Sequence, residues 1–308
     1  MEIAQLSSFY QIVKTGSFSE ASEKVFLSQS AVSHQITNLE NELNVKLFKR
    51  IGKKTKLTNE GEILFEKTIN IFNDLEGLKR IYADIDSGVG GKLMIAATSA
   101  VVTYVLPKII KKFVDRFPKI SFKLFTCGYI SELTSLVLDG EVDFGIGLGS
   151  QLENLPRLNF LLWKSFDMCL IVSKKHPLSQ KKRIKLVDIA KYPHILYGKR
   201  TVNRRVIDEV YLRHNIKPEI IMEVDMAENI KSYVEKDIGL GIISSVSITK
   251  RDRERLFISN SNHLFGQAQF GIYYRKAGYI SSATKQFIGL FAPELLNNLS
   301  RLSSPKKE

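Results

Sequence analysis

Residues 26–41 read FLSQSAVSHQITNLEN, and two chemical patterns run together along this stretch. Val32, Ile36, Leu39 and Leu43 recur at helical spacing and form one apolar stripe. The opposite face carries short hydrogen-bonding side chains, where a helix that only had to be soluble would more often carry Lys and Glu. The stretch therefore predicts an amphipathic helix whose outer face does more than solvate the chain.

Two helices are predicted before this stretch. Apolar residues recur at helical spacing up to Gly16, which ends the first helix. Ser17 and Glu20 form a capping pattern that starts a short second helix, and Ser28 is placed to cap the third. This order of two helices, a tight turn and a third helix is that of a helix-turn-helix.

A basic segment follows the third helix. Between Asn41 and Thr58 there are six Lys or Arg residues and one Glu. Residues 49–57 are too short and too rich in Lys and Gly for a helix, and they predict a small hairpin, or wing. Such a compact positive patch is suited to a phosphate backbone.

The total charge of +13 is not itself the argument for nucleic acid. Residues 1–91 hold 11 basic and 12 acidic side chains, whereas residues 92–308 hold 34 and 20. Attraction of the N-terminal segment to DNA must therefore come from the local patch.

The third helix and the wing are predicted to divide the contacts to duplex DNA. In helix-turn-helix motifs the third helix enters the major groove and the second braces it. Gln can pair bidentately with adenine, Ser and Thr can approach bases or phosphates, and Lys and Arg bind the backbone. A three-helix protein-interaction module with a polar face is the alternative. The predicted DNA contacts are Ser28, Gln29, Ser30, Ser33, His34 and Thr37 on the helix, and Lys49, Arg50, Lys53 and Lys54 on the wing.

A long helix, capped by Thr58 or Asn59, is predicted next. Its apolar positions alternate spacings of four and three, which is an a/d heptad seam that favours a partner helix. A homodimer would present two half-sites, as two-fold DNA readers require. Residues 87–91 then predict a hinge. The seam consists of Leu64, Thr68, Ile71, Leu75, Leu78, Tyr82 and Ile85.

From Lys92 onward, short apolar strands alternate with helices in two similar sets, which predicts a parallel sheet in each. The predicted strands are 93–97, 121–125, 142–147, 168–173, 194–197, 219–223, 239–244 and 269–274, and the predicted helices lie around 110–117, 133–138, 204–213 and 227–235, with one more at the C-terminus. Ligands of such sheets bind beyond the carboxyl ends of the strands. The pair Thr98-Ser99 is equally an ordinary capping pattern. The positive charge of this half is compatible with an anionic ligand and equally with general solubility. The predicted ligand-binding residues are Thr98, Ser99, Thr126, Cys127, Gly128, Gly147, Tyr197 and Thr201.

Several function classes receive no support from the sequence. No apolar run approaches the roughly 18 residues of a membrane span, and the first residues lack the pattern of a signal peptide. We therefore expect a cytoplasmic protein with reduced thiols. The five His have no metal-ligand spacing, and no nucleophile-elbow or P-loop motif is present, so no metal and no enzyme activity are expected. Redox sensing by Cys127 or Cys169 is a minor alternative to buried structural thiols.

A resemblance to the DNA-binding domain of LysR-type bacterial transcriptional regulators covers about sixty residues, and the α/β remainder resembles that family's effector domain. Two residues depart from the family pattern: Ser30 stands where proline is frequent, and Asn44 stands where glycine is common. Asn tolerates the left-handed conformation, so the turn is expected to survive. The resemblance is carried by Ser17-Phe18, Glu20-Ala21, the run from Ser28 to Ile36, Leu39-Glu40, Leu43, Leu47-Phe48, Arg50, Leu57-Thr58 and Gly61.

The resemblance implies a small-molecule effector, without another cofactor, in a cleft between two Rossmann-like subdomains similar to periplasmic solute-binding proteins. It also implies dimers through the linker helix, tetramers that bend promoter DNA, and contact with RNA polymerase. Residues 95–107 distantly resemble the cysteine-biosynthesis branch, although Ala100 and Val101 are apolar where that branch tends to be polar.

The predicted fold class is thus α+β and multi-domain. A solute-binding or catalytic α/β protein with an accessory helical module is the alternative to a regulator. The predicted divisions are a winged helix-turn-helix at 1–58, a linker helix at 59–87, a hinge at 88–91 and an effector-binding domain at 92–302, with subdomain I at 92–162 and 266–302 and subdomain II at 163–265.

Overall fold

The computed structural model describes residues 1–51, 54–87, 91–149, 157–276 and 278–296. The chain forms two compact units, Met1–Arg80 and Ile81–Glu308. The first unit contains three helices, a hairpin and most of a long fourth helix. Its elements are α1 Ile3–Thr15, α2 Phe18–Val25, α3 Gln29–Leu43, β1 Phe48–Ile51, β2 Lys54–Leu57 and α4 Asn59–Ser87.

The helix ends follow the predicted caps. Gly16 ends α1 in the left-handed region, at φ 72°. The Ser17 hydroxyl accepts a hydrogen bond from the backbone N–H of Glu20 and so begins α2. Asn44 ends α3 with φ 53° and ψ 37°, which confirms that Asn occupies the left-handed position where the family commonly has glycine.

The predicted hairpin is confirmed for its described residues. Strands β1 and β2 pair antiparallel, with Phe48 opposite Leu57. The buried Glu40 carboxylate of α3 accepts the Leu47 N–H at 2.8 Å and pairs with Lys46 Nζ at 2.6 Å. The base of the hairpin is therefore fastened to the C-terminal end of α3.

The N-terminal part of α4 packs on the core of its own unit. Leu64 and Ile71, two members of the predicted seam, contact the cluster that contains Phe9 and Leu39. Phe65 lies at 5.7 Å from Tyr10, measured between ring centroids. The expectation that the whole seam faces a partner helix therefore needs correction, because these positions contact their own chain. Leu78 is 51% exposed. The side chains of Tyr82 and Ile85 are not among those that the structure describes.

The second unit alternates strands and helices as predicted. Short 3₁₀ turns lie at Pro177–Gln180, Ser245–Ser247 and Pro293–Leu295. The helices are α5 Ser99–Tyr104, α6 Leu106–Arg116, α7 Ile130–Leu138, α8 Leu186–Ile189, α9 Val202–Arg213, α10 Ala227–Glu235, α11 Lys250–Arg255, α12 Asn262–Phe265 and α13 Ser282–Phe291. The strands are β3 Gly91–Thr98, β4 Ile120–Cys127, β5 Phe144–Leu148, β6 Leu158–Ser173, β7 His194–Tyr197, β8 Ile220–Val224, β9 Leu240–Ser244, β10 Leu256–Asn260 and β11 Gln267–Arg275.

The sheet of this unit is mixed, which corrects the expectation of parallel sheets. The strand order is β4-β3-β5-β11-β6-β9-β7-β8, and β10 also pairs with β6. Pairings among β3, β4 and β5, and among β7, β8 and β9, are parallel. Strand β11 is antiparallel to β5 and β6, and β6 is antiparallel to β9 and β10. The parallel sets thus form two halves joined by antiparallel strands.

Strands β6 and β11 connect the two halves. Residues 158–167 of β6 pair with β11, whereas from Met168 onward β6 pairs with β9. The chain therefore leaves the first half along β6 and returns along β11. We call the half with β3, β4 and β5 the first subdomain and the half with β7, β8 and β9 the second. The exact division at residues 163 and 266 stays a prediction.

Among the described residues, none of the helices combines the length and apolar character that a membrane crossing requires.

Candidate functional sites

The outer face of α3 is exposed because its inner face is used for the core. Val32 and Leu39 are fully buried, and Ile36 is nearly so. All six predicted base-side residues, at the cap and along the helix, are exposed. The structure thus gathers on one surface the residues Ser28, Gln29, Ser30, Ser33, His34 and Thr37.

The first turn of α3 is held by side-chain hydrogen bonds. The Ser28 hydroxyl accepts from the Ala31 N–H at 3.2 Å and lies 3.0 Å from the Ser30 hydroxyl. Gln29 accepts from the Ser19 hydroxyl of α2 at 3.1 Å, which links the bracing helix to the third helix. Ser30, which stands where the family often has proline, therefore adds a hydroxyl beside the cap.

Asn38 belongs to the same surface, although the sequence reasoning did not select it. Its amide lies 3.3 Å from His34 Nδ1, one helical turn away, and the Thr37 hydroxyl donates to the Ser33 carbonyl. Asn is also a base-reading residue type. The spacing of four from His34 was the signal in the sequence that could have found it.

The wing is described only in part. Lys49 lies on β1 with an exposed side chain. Arg50 and Lys54 lie on β1 and β2, but their side chains are outside the description, and Lys53 lies outside the described residues. The predicted role of the wing in backbone contact stays a prediction.

A cleft of about 740 Å³, including solvent at its mouth, lies between the two subdomains of the second unit. It lies at the carboxyl ends of β3, β4, β7, β8 and β9, as the rule for α/β sheets predicts. The polar side chains of its lining are Thr98, Ser99, Thr103, Tyr104, Cys127, Tyr129, Tyr197, Thr201, Asn203, Asp225, Glu228, Ser244 and Ser247.

Six of the eight predicted ligand residues line this cleft, namely Thr98, Ser99, Cys127, Gly128, Tyr197 and Thr201. Thr126 is exposed while its neighbour Cys127 is buried, because successive residues of a strand point to opposite faces. Gly147 lies behind the lining, where an added Cβ would meet Thr98 Cγ2 at 3.0 Å. Whether the six bind a ligand stays a prediction.

Three hydroxyl groups of the lining have no hydrogen-bond partner among the described residues, namely Thr98, Ser244 and Ser247. Ser244 and Ser247 are each 1% exposed. The Thr98 hydroxyl makes no capping bond to α5, so the ordinary capping interpretation fails for this side chain. Buried polar groups are normally paired. A ligand that reached these three hydroxyls would complete their hydrogen bonding.

The Thr201 hydroxyl has a different role, because it already has partners. It accepts from the Arg204 N–H at 3.2 Å as the cap of α9 and donates to the Gly198 carbonyl at 2.9 Å. The buried Arg204 guanidinium donates to the Tyr197 carbonyl at 2.9 Å and pairs with Glu223. The loop between β7 and α9 is thus held rigid along one wall of the cleft.

The cysteines are poor candidates for redox sensing. Burial raises the pKa of the Cys127 thiol to about 12, with a further contribution from the Glu132 charge. Burial, together with Asp167, raises the pKa of Cys169 to about 11. Because the thiolate is the reactive species, a raised pKa makes both thiols less reactive.

Comparison with known proteins identifies both units. Residues 3–62 match the family described as "Bacterial regulatory helix-turn-helix protein, lysR family", and residues 86–295 match the "LysR substrate binding domain". The chain is 32% identical over 280 residues to the transcriptional regulator SsuR of Burkholderia cenocepacia, covering 90% of this chain and 89% of that protein. It is 30% identical over 283 residues to the regulator CysB of the same organism, covering 91% and 89%.

A solved structure agrees with these relatives. The cofactor-binding domain of the Cbl transcriptional regulator superposes with a TM-score of 0.65 at 28% identity, covering 70% of this chain and 96% of that domain. The relatives SsuR and CysB belong to the cysteine and sulfur regulator branch, which confirms the predicted likeness to that branch.

Proposed function

The chain belongs to the LysR family of DNA-binding transcriptional regulators, and we propose that it reads promoter DNA as a homotetramer under the control of a small anionic effector. The family assignment favours this function over the alternative of a solute-binding or catalytic α/β protein with an accessory helical module. The finer proposal concerns the effector, the assembly and the contacts to DNA and RNA polymerase.

The observation that carries the effector proposal is the set of unpartnered hydroxyls in the cleft. Thr98 comes from the first subdomain, and Ser244 and Ser247 come from the second. An anion with several acceptor oxygens would accept from all three and would join the two walls. Asp225 and Glu228 line the cleft at exposed positions and would repel an anion. We therefore place the anionic group at the buried hydroxyls.

The regulatory mechanism is a population shift. An effector that contacts both walls favours one closure angle of the subdomains, because it binds that state more tightly. We propose that closure changes the geometry of the tetramer, which in turn changes the bend of the promoter DNA and its contact with RNA polymerase.

Thermal unfolding tests the effector class. Inorganic sulfate, inorganic phosphate and acetate serve as probes, each against sodium chloride at equal ionic strength. We expect a saturable rise of several degrees in Tm for at least one probe. Sulfate and phosphate also stabilise proteins without binding, so the S244A/S247A variant is needed. It should lose the saturable part, whereas Ser179→Ala, outside the cleft lining, should keep it. If no probe gives a saturable rise, or if S244A/S247A retains it, the anionic proposal is wrong.

Binding to DNA is tested on the region upstream of the chain's own gene by gel shift across a range of salt concentrations. A sequence-selective complex whose affinity falls with salt is expected. The absence of such a complex, with and without the anions above, would contradict the proposed reading of promoter DNA.

A further inference from the structure

The ammonium group of Lys231 on α10 contacts both walls of the cleft. Lys231 is 2% exposed. Its Nζ donates to the Tyr104 hydroxyl of the first subdomain at 2.9 Å. It also donates to the Ser247 carbonyl at 2.9 Å and to Asp252 Oδ2 at 3.0 Å, both in the second subdomain. One buried charge therefore joins the two halves of the second unit.

The counter-charge of this ammonium is provided by the second subdomain. Asp252 is also 2% exposed, and its Oδ2 accepts from the Thr249 N–H and hydroxyl at 2.8 and 2.7 Å. These bonds keep the carboxylate in place whether or not the first subdomain is near. Since a buried charge must be paired, Asp252 provides the pairing that does not depend on closure of the cleft.

Lys231 has more acceptors than hydrogens. A lysine ammonium has three hydrogens, and the bonds to Tyr104, Ser247 and Asp252 use all three. The carboxylate of Glu228, one turn earlier on α10, lies 2.6 Å from Nζ as a fourth oxygen. Glu228 is half exposed and lines the cleft. A replacement acceptor is therefore already in place beside the ammonium.

We propose that Lys231 is a positioning residue that exchanges its hydrogen bond to Tyr104 for one to Glu228 when the cleft opens. Opening then leaves no hydrogen of the buried ammonium without an acceptor, which keeps both states accessible. Glu228 lines the cleft, and Ser247 offers its unpartnered hydroxyl to it. The exchange therefore couples the closure angle to the shape of the site, and in this sense it rests on the proposed function.

The two competing acceptors give opposite predictions. Tyr104→Phe removes the hydroxyl and keeps the ring, whose centroid lies 4.9 Å from Nζ. It should shift the population about ten-fold toward the open state, as expected for loss of one hydrogen bond to a charged group. Glu228→Gln removes the charge that competes for the ammonium and should shift the population toward the closed state. Tyr233→Phe, a half-exposed tyrosine on the same helix, is the matched control and should change nothing.

The measurement is the distance distribution between two spin labels on the full chain. The labels are placed at S121C on β4 and K217C before β8, both exposed positions in different subdomains. The native thiols are buried with raised pKa values, so they should label slowly. Excess unlabelled protein ensures one labelled subunit in each assembly. Opposite shifts from Tyr104→Phe and Glu228→Gln support the exchange, whereas shifts in the same direction, or none, overturn it.

These distances are recorded without any ligand. Failure of the anion screen would therefore leave the result intact, and failure of the exchange would leave the anion proposal standing. If Tyr104→Phe does not fold, Glu228→Gln alone decides, because it must favour the closed state.

Discussion

Thr and Ser residues around the cleft occupy similar positions in the sequence pattern, but their hydroxyl groups differ in their hydrogen-bond partners. Thr201 caps α9, and its hydroxyl hydrogen is already used in the hydrogen bond to the Gly198 carbonyl. Thr98 precedes a helix in the same way, yet its hydroxyl makes no capping bond. The sequence pattern selected both, and only the three-dimensional contacts distinguish a structural hydroxyl from one available to a ligand.

Some residues of the cleft lining were not predicted from the sequence, and their positions in the fold explain why. Asp225 and Ser244 follow or end strands and could have been found by the rule that placed Thr98 at a strand end. Tyr104 is the last residue of α5, and Glu228 lies in the first turn of α10. Both lie on helices and not at strand ends, so the rule that selects strand ends does not find them.

A buried histidine makes the stability of the second unit depend on pH. His194 is fully buried, with Nε2 2.6 Å from the Tyr211 hydroxyl and Nδ1 2.8 Å from the Tyr192 carbonyl. Burial lowers the pKa of His194 to about 4. The unfolded chain, with an ordinary His pKa near 6.5, takes up the proton first as pH falls. The contribution of the neutral His194 to the free energy of unfolding, roughly 3 kcal/mol, is therefore fully present above about pH 6.5. It is lost as pH falls from there to about 4.

Urea denaturation at pH 7.5, 6 and 5 checks this expectation. Trp163, the single tryptophan of the sequence, lies in the second unit and donates to the Phe291 carbonyl, so its fluorescence reports on that unit. His194→Gln should flatten the pH dependence, although His176, whose pKa burial also lowers, will keep part of it. The exposed His214→Gln should leave it unchanged. An equal slope in all three proteins would contradict the assignment.

Helix α3 and the wing are expected to contribute differently to DNA binding. Ser33→Ala and His34→Ala should relax sequence preference by about 1–3 kcal/mol of discrimination, because their side chains lie on the exposed face of the third helix. Lys49→Ala on β1 should weaken binding to all sequences about equally and lower the salt slope by about one. The same division was predicted for Lys53, which lies outside the described residues.

Fluorescence anisotropy with the operator and a scrambled duplex, across salt concentrations, measures both quantities. His214→Ala, an exposed histidine in the second unit, serves as the control. Equal loss of discrimination from Ser33→Ala, His34→Ala and Lys49→Ala would show that the two elements do not divide these roles.

Most elements could be predicted because each carries its own signal. Strand His194–Tyr197 and helix Ala227–Glu235 have the bounds that their apolar runs and flanking residues predict. By contrast, the first ten residues of β6 and all of β10 were missed. The first part of β6 pairs with β11, about a hundred residues later in the chain, and β10 pairs with the second part of β6. Such strands form because of a distant partner, and their own sequence does not identify it.

Self-association of the chain should depend on the part of α4 that its own unit leaves uncovered. Leu78 lies on the predicted seam and is 51% exposed, whereas Leu64 and Ile71 contact the first unit's core. Leu78→Glu would place a charge in the helix pair and should raise the dimer dissociation constant at least ten-fold.

Sedimentation velocity over a concentration series checks this prediction. Ile63→Glu is the matched control, since Ile63 is 62% exposed on the same helix but is not a member of the seam. The two variants should differ clearly in self-association. Identical behaviour would mean that the seam does not form the dimer contact.

The return of β11 to the first subdomain has a consequence for synthesis on the ribosome. Strand β11 lies between β5 and β6 in the sheet, so β5 lacks one of its two neighbouring strands until residues 267–275 have emerged. The second subdomain, from the later part of β6 to β10, is contiguous in the chain and can close earlier. A nascent chain truncated before Gln267 would thus expose the edge of β5, and proteases and chaperones should recognise such a product.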